Sequence, residues 1–429
     1  MNALPRSRPA GPREIVRILG PGFITGASDD DPSGIGTYAL AGASLGLQTL
    51  WTALITFPLM AAVQNICARV GMVSGRGLAG VLRHHYPRPL LYGAVLLLFV
   101  ANTVNVGADL AAIADAIRIL TGVAGAWLVI PVSLAILAVQ VVGSYRLIAN
   151  VFKWLTLALL AYVADTFLVH PDALQTLRAT VVPTLSLDPK YVTTIVAILG
   201  TTISPYLFFW QSSEHVEEEM SQGRKSVAAR RGATPGEIRR ATIDTNVGMA
   251  FSNAVMYFII LATGLTLFPA GKTDIKSGAD AAGALRPLAG DLAGVLFAVG
   301  MIGAGLLAVP ILSGSAAYAV AEAFGWRYGL ERRWDRAKPF YGVIVVATAL
   351  GAGMSFLDID PIGALFWTAV LNGVVAPPLL VLVMLAARNG KVMGGQKIGR
   401  LLSVLGWLAT VGMFLALAGL AYTTLLAPT

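Results

Sequence analysis

Asp29, Asp30 and Asp31 stand side by side in Ser28-Asp29-Asp30-Asp31-Pro32-Ser33-Gly34, close to the centre of a long apolar run. Carboxylates at mid-bilayer depth are costly in hydrocarbon, so three of them require a wet cavity, a cation, or both. Pro32 donates no backbone hydrogen bond, and Gly34 and Gly36 loosen the helix further. The segment is therefore expected to unwind, which frees backbone carbonyls and turns half-helix ends towards a cavity: a site for an ion. Gly200-Thr201-Thr202-Ile203-Ser204-Pro205-Tyr206 repeats the device, and Pro205 would free the carbonyl of Thr201. Matched breaks in the two halves of a chain point to a transporter's midplane site, and Pro32 and Pro205 are 173 residues apart.

The elements that must position these breaks are membrane spans. Of 429 residues, 56% are hydrophobic and only 13% charged, well below the quarter typical of soluble domains. At about 20 apolar residues per crossing, eleven spans are expected near 18–44, 47–70, 89–119, 123–143, 147–170, 190–219, 241–269, 288–324, 339–357, 361–387 and 399–426. This divides the chain into a cytoplasmic tail (1–17), a first five-helix set (18–170), a second (190–387) of opposite orientation, and an eleventh helix (399–426). One cysteine, Cys67, excludes a disulfide framework and a thiolate metal cage.

Charge placement fixes the expected orientation. With the N-terminus inside, only Arg118, Arg178, Lys190, Lys272, Lys276 and Arg286 fall outside, leaving 25 of the 31 Lys and Arg residues on the cytoplasmic side. A bacterial-type inner membrane is the expected location. The net charge of +8 is spread between apolar runs and forms no stripe for nucleic acid.

At these residues the chain resembles the Nramp family of divalent-metal transporters. Gly20-Pro21-Gly22-Phe23, Asp31-Pro32 and Thr37 resemble the family's first-helix block, and Gly200 to Tyr206 with Gln211-Ser212 its sixth-helix block; Asp109-Leu110-Ala111 and Val370-Leu371-Asn372 match more loosely. The resemblance implies an all-α membrane protein of the LeuT-type fold, two inverted five-helix repeats with an added eleventh helix, and no enzymatic activity. It further implies a metal site. The family's Asp-Pro-Gly-Asn is replaced by Asp31-Pro32-Ser33-Gly34 and its Met-Pro-His by Ser204-Pro205-Tyr206. A neighbouring His is matched by Gln211, a Glu after the third-helix Asp by Ala112, and a tenth-helix Gln by Thr368.

Losing the thioether removes the ligand that favours softer metals. The expected donors are the Asp31 carboxylate, the Thr201 carbonyl, Ser33, Ser204 and Tyr206, with Asp30 and Asp29 either rebuilding the site or forming a solvated entrance ring or helix cap. The substrate is expected to be Mn²⁺ or Fe²⁺, with Mg²⁺ close behind; a metal chelate or small organic solute is the alternative cargo. Without the Glu and His partners, proton coupling is expected to be weak or absent. The divalent ion and the lipid bilayer are the expected partners, with no resident cofactor and no obligate protein partner. Glu214, His215, Glu217, Glu218 and Glu219 read as a charged helix end facing water, with a weak release site using His215 as the alternative, and His84-His85 as part of a surface loop.

Overall fold

The computed structural model describes residues 20–123, 125–142, 160–330, 332–357 and 360–425. The expected tail 1–17 and most of the expected span 147–170 lie outside these residues. Among the described residues there are helices and no strands.

The first span is broken where the sequence breaks it. Helix α1 (Pro21–Asp29) ends at Asp30, and α2 (Pro32–Leu45) begins with Pro32 in its first turn. Asp31 is the N-cap of α2: its side chain accepts from the Gly34 backbone N–H at 2.7 Å. Asp followed by Pro is a helix-start signal, because the carboxylate satisfies an orphan donor and the ring pre-sets φ. Then come α3 (Trp51–Ser74), α4 (Leu78–His85), α5 (Arg88–Thr121), α6 (Val129–Val142), α7 (Ala161–Leu168) and α8 (Ala173–Val181).

The sixth span is broken as well, into α9 (Pro189–Thr202) and α10 (Pro205–Ser221). Ser204 precedes Pro205 at the restart, but its hydroxyl does not cap α10. It turns back to the carbonyls of Thr201 at 2.5 Å and Gly200 at 3.2 Å, filling acceptors that the break sets free. The bundle closes with α11 (Pro235–Thr266), α12 (Ala293–Phe324), α13 (Lys338–Met354), α14 (Pro361–Arg388) and α15 (Arg400–Leu425). Among the described residues seven helical segments are long and apolar enough to cross a membrane, and the shorter apolar helices α6 and α13 stand where the fourth and ninth spans are expected.

One reading from the sequence needs correction. His84 and His85 are exposed, as expected, but they end helix α4, whose Leu78, Val81 and Leu82 are buried, and so do not lie in a loop. The stretch before the sixth span also holds a helix, α8, started by Asp172 accepting from Gln175 N.

Close backbone contact holds the broken helices. Helix association in a membrane rests on van der Waals packing at small residues. A Cβ on Gly26 of α1 would lie 2.2 Å from the carbonyl carbon of Gly248 on α11, and one on Gly200 of α9 would lie 2.3 Å from the Gly373 nitrogen on α14. At the start of α1, Asp244 of α11 accepts from the backbone N–H groups of Gly20, Gly22 and Phe23 at 2.7–3.0 Å, capping the half-helix from a neighbour.

Gly26→Ala is expected to destabilise the protein by about 1–3 kcal/mol through overpacking. Gly93→Ala, where an added Cβ meets nothing within 4 Å, is expected to stay within about 0.5 kcal/mol. Thermal unfolding of the purified protein in detergent checks both.

Candidate metal site

Asp29, Asp30 and Asp31 are buried together at the gap between α1 and α2, with Ser33, Thr201, Ser204 and Tyr206. The three carboxylates do not point the same way. Asp31 faces α5: its Oδ1 accepts from Ser33 Oγ at 2.6 Å and Gly34 N at 2.7 Å, and its Oδ2 from Asn105 Nδ2 at 3.0 Å. Asp29 and Asp30 face α11, where Ser252 Oγ lies 2.7 Å from Asp29 Oδ2 and 3.2 Å from Asp30 Oδ1. Among the described residues no three His, Cys, Asp or Glu side chains are grouped to hold one metal ion. The break therefore splits the acidic triplet between two walls, as consecutive residues about 100° apart around a helix would.

Some carboxylate oxygens at the site lack partners. Asp29 Oδ1 and Asp30 Oδ2 make no hydrogen bond. Asp109 stands one turn beyond Asn105 on α5, and the two share a face. The ion pairs among the described residues all lie elsewhere. Four buried carboxylic groups with no basic side chain paired to them make a site that a cation would stabilise.

The remaining candidates take different roles. The hydroxyl of Tyr206 donates to the Ser28 carbonyl at 2.8 Å, so it satisfies a backbone acceptor freed at the end of α1 and ties α10 to it. Ser315 of α12 in turn donates to the Tyr206 carbonyl at 2.7 Å. The Ser204 hydroxyl is spent on the Thr201 carbonyl, which keeps a second lone pair for another partner. Gly34 allows the two breaks to meet, since a Cβ there would lie 3.1 Å from Thr201 Oγ1 and 3.3 Å from the Asp29 carbonyl.

Asn105, Ser252 and Asp244 were not singled out in the sequence. Asn105 carried a usable signal, as a polar residue four positions before Asp109 in an apolar helix. Ser252 and Asp244 carried none that separates them from other polar residues of α11. The acidic end of α10 is not a water-facing cluster, because His215, Glu217 and Glu219 are buried. Instead His215 bonds Gln211 at 3.2 Å and pairs with Glu218 at 3.4 Å, while Gln211 accepts from Thr25 of α1. Asp360 caps α14 through Gly363 N at 2.6 Å; Asp358 lies outside the described residues.

Residues 22–423 match the family described as natural resistance-associated macrophage protein-like, Nramp. A divalent metal cation transporter MntH of Deinococcus radiodurans is 27% identical over 422 residues, covering 96% of this chain and 90% of its own. The crystal structure of an Eremococcus coleocola manganese transporter, in complex with an aromatic bis-isothiourea compound, superposes with a TM-score of 0.75 at 18% identity, covering 97% of this chain and 89% of that one. MhsT in complex with L-phenylalanine superposes at 0.60 and 14% identity, covering 93% and 98%. The fold is thus the all-α LeuT type that the resemblance implied. The chain belongs to the Nramp family, and is a multi-pass membrane transporter and not an enzyme.

Proposed function

We propose that this protein imports a divalent metal ion, with Mn²⁺ or Fe²⁺ favoured and Mg²⁺ close behind. One observation carries the reading: four buried carboxylic groups, Asp29, Asp30, Asp31 and Asp109, cluster at the paired helix breaks with no basic side chain paired to them. Family membership and relatives named for divalent metal and manganese transport support it. Asp31 supplies the charge and the Thr201 carbonyl an oxygen, with Ser33 and Asn105 holding the Asp31 carboxylate in place. Asp29 and Asp30, gathered on Ser252, form the second wall, and either oxygen left unbonded there can complete the shell. An all-oxygen site suits a hard or partly hydrated ion. Residues 18–170 and 190–387 act as two inverted repeats that expose the breaks alternately to either side, with the N-terminus in the cytoplasm.

Asp31→Asn separates charge from architecture. Asn caps helices as well as Asp, so the break and the Gly34 bond are kept while the negative charge is lost. Uptake of Mn²⁺ into proteoliposomes should fall at least about tenfold, equivalent to about 1.4 kcal/mol, with thermal stability close to wild type. Undiminished uptake would remove Asp31 from the ion's path.

Metal movement is weakly coupled to protons or not coupled, because Ala112 and Tyr206 stand where a carboxylate and an imidazole would relay them. Mn²⁺ uptake monitored with an enclosed pH-sensitive dye should leave the liposome interior unacidified. Acidification that follows metal uptake reproducibly would contradict this.

A further inference from the structure

A second polar cavity lies at the opposite end of the bundle from Asp360, on the face proposed to be cytoplasmic. Its volume is about 370 Å³, and Arg76, Arg83, Lys225, Arg230, Arg327 and Arg332 line it. These six come from four separate stretches: the turn after α3, helix α4, the segment between α10 and α11, and the segment after α12. Scattered cytoplasmic arginines follow from membrane topology alone. A concave site lined by five arginines and a lysine does not.

Among the described residues, the carboxylate that lines the cavity is already engaged. Glu322 Oε1 accepts from Gly77 N at 3.0 Å and Oε2 from Gly80 N at 2.8 Å, so it caps α4. Among the described residues none of the six cations forms an ion pair with a carboxylate. Arg230 is the most telling, being only 5% exposed. Its Nε donates to the Gly75 carbonyl at 3.3 Å, and its Nη1 to those of Arg224 and Lys225 at 3.0 and 2.9 Å. Those bonds orient the guanidinium, which also acts on buried Glu219, a carboxylate that Arg224 already pairs. Burial lowers the pKa of Arg76 from its ordinary value; Tyr328 and Glu322 oppose that shift, and Arg230 and Arg231 add to it. An anion would relieve this repulsion.

The edge of the cavity places it at headgroup depth. Exposed Tyr92, Phe324 and Trp326 stack in series, with ring centroids 5.6 and 5.0 Å apart, and Trp326 also lines the cavity. Exposed aromatic rings mark the membrane–water interface. Arginine forks match phosphate oxygens in pairs. We propose that this cavity binds a phosphate-bearing anion, drawn either from an anionic lipid headgroup or from a soluble phosphate compound, and that occupancy ties α4 to the segments following α10 and α12.

The test uses the full-length protein in phosphatidylcholine nanodiscs. One arm titrates pyrophosphate and ATP by calorimetry; the other adds phosphatidylglycerol and counts retained lipid by native mass spectrometry. At least one probe should bind saturably, and which one identifies the source. The double variant Arg327→Gln/Arg332→Gln, both exposed, should weaken that binding at least about tenfold, and Lys225→Gln should weaken it in the same direction. Arg239→Gln/Arg240→Gln removes equal charge from exposed positions on α11 outside the cavity, and should leave binding unchanged. Failure of every probe to saturate, or equal weakening in both double variants, would overturn the proposal.

Discussion

Carboxylates buried at mid-membrane without basic partners constrain everything else in this molecule. Asp29, Asp30 and Asp31 are consecutive, so an unbroken helix would fan them outward and leave at least one against lipid or dry protein. Opening the chain at Asp30 and Asp31 gives each a polar neighbour and keeps all three inside. The opening then has to be stabilised in turn. Tyr206 takes the Ser28 carbonyl, Ser204 takes the Thr201 carbonyl, and Asp244 takes the first N–H groups of α1. Each of these bonds answers a backbone group that the break, or the short half-helix it creates, leaves without an intrahelical partner.

Under the proposed function Asp31 carries two duties that pull in different directions. As the N-cap of α2 it spends Oδ1 on Gly34 and Ser33, and Asn105 holds Oδ2. As an ion ligand it must still offer lone pairs, which a carboxylate can, having about four acceptor sites. The three bonds pre-organise the group, so that little side-chain freedom remains to be lost when an ion arrives. Asp29 and Asp30 differ, since each keeps one oxygen with no partner. The loss of thioether and imidazole at Ser204 and Tyr206 is therefore not matched by a soft or basic substitute. It is matched by oxygen.

Much of this was legible in the chain itself. Proline beside polar residues inside apolar runs located both breaks, and among the described residues the apolar runs placed α3, α5, α6 and α9 to α15 near their expected positions, because local chemistry decides each. Helix α11 begins at Pro235, earlier than its apolar stretch, because Thr234 and Glu237 form a capping box ahead of it. What the sequence hid was pairing across distance. Asn105 reaches Asp31 over 74 positions and Ser252 reaches Asp29 over 223, and a serine on α11 looks like any other until the fold brings α1 beside it. The acidic end of α10 misled for the same reason: charge density signals water, yet tertiary packing buried His215 and Glu219. The bond from the Tyr206 hydroxyl to the Ser28 carbonyl, 178 positions away, was equally hidden.

Locating the ion tests the central claim most directly. Crystals grown with Mn²⁺ and measured at its absorption edge would show the metal by anomalous scattering. The account predicts a peak about 2.0–2.6 Å from an Asp31 carboxylate oxygen, in the range of hard-ion oxygen bonds, with the Thr201 carbonyl among its neighbours. A strong peak elsewhere in the protein, with none in reach of Asp31, would contradict it.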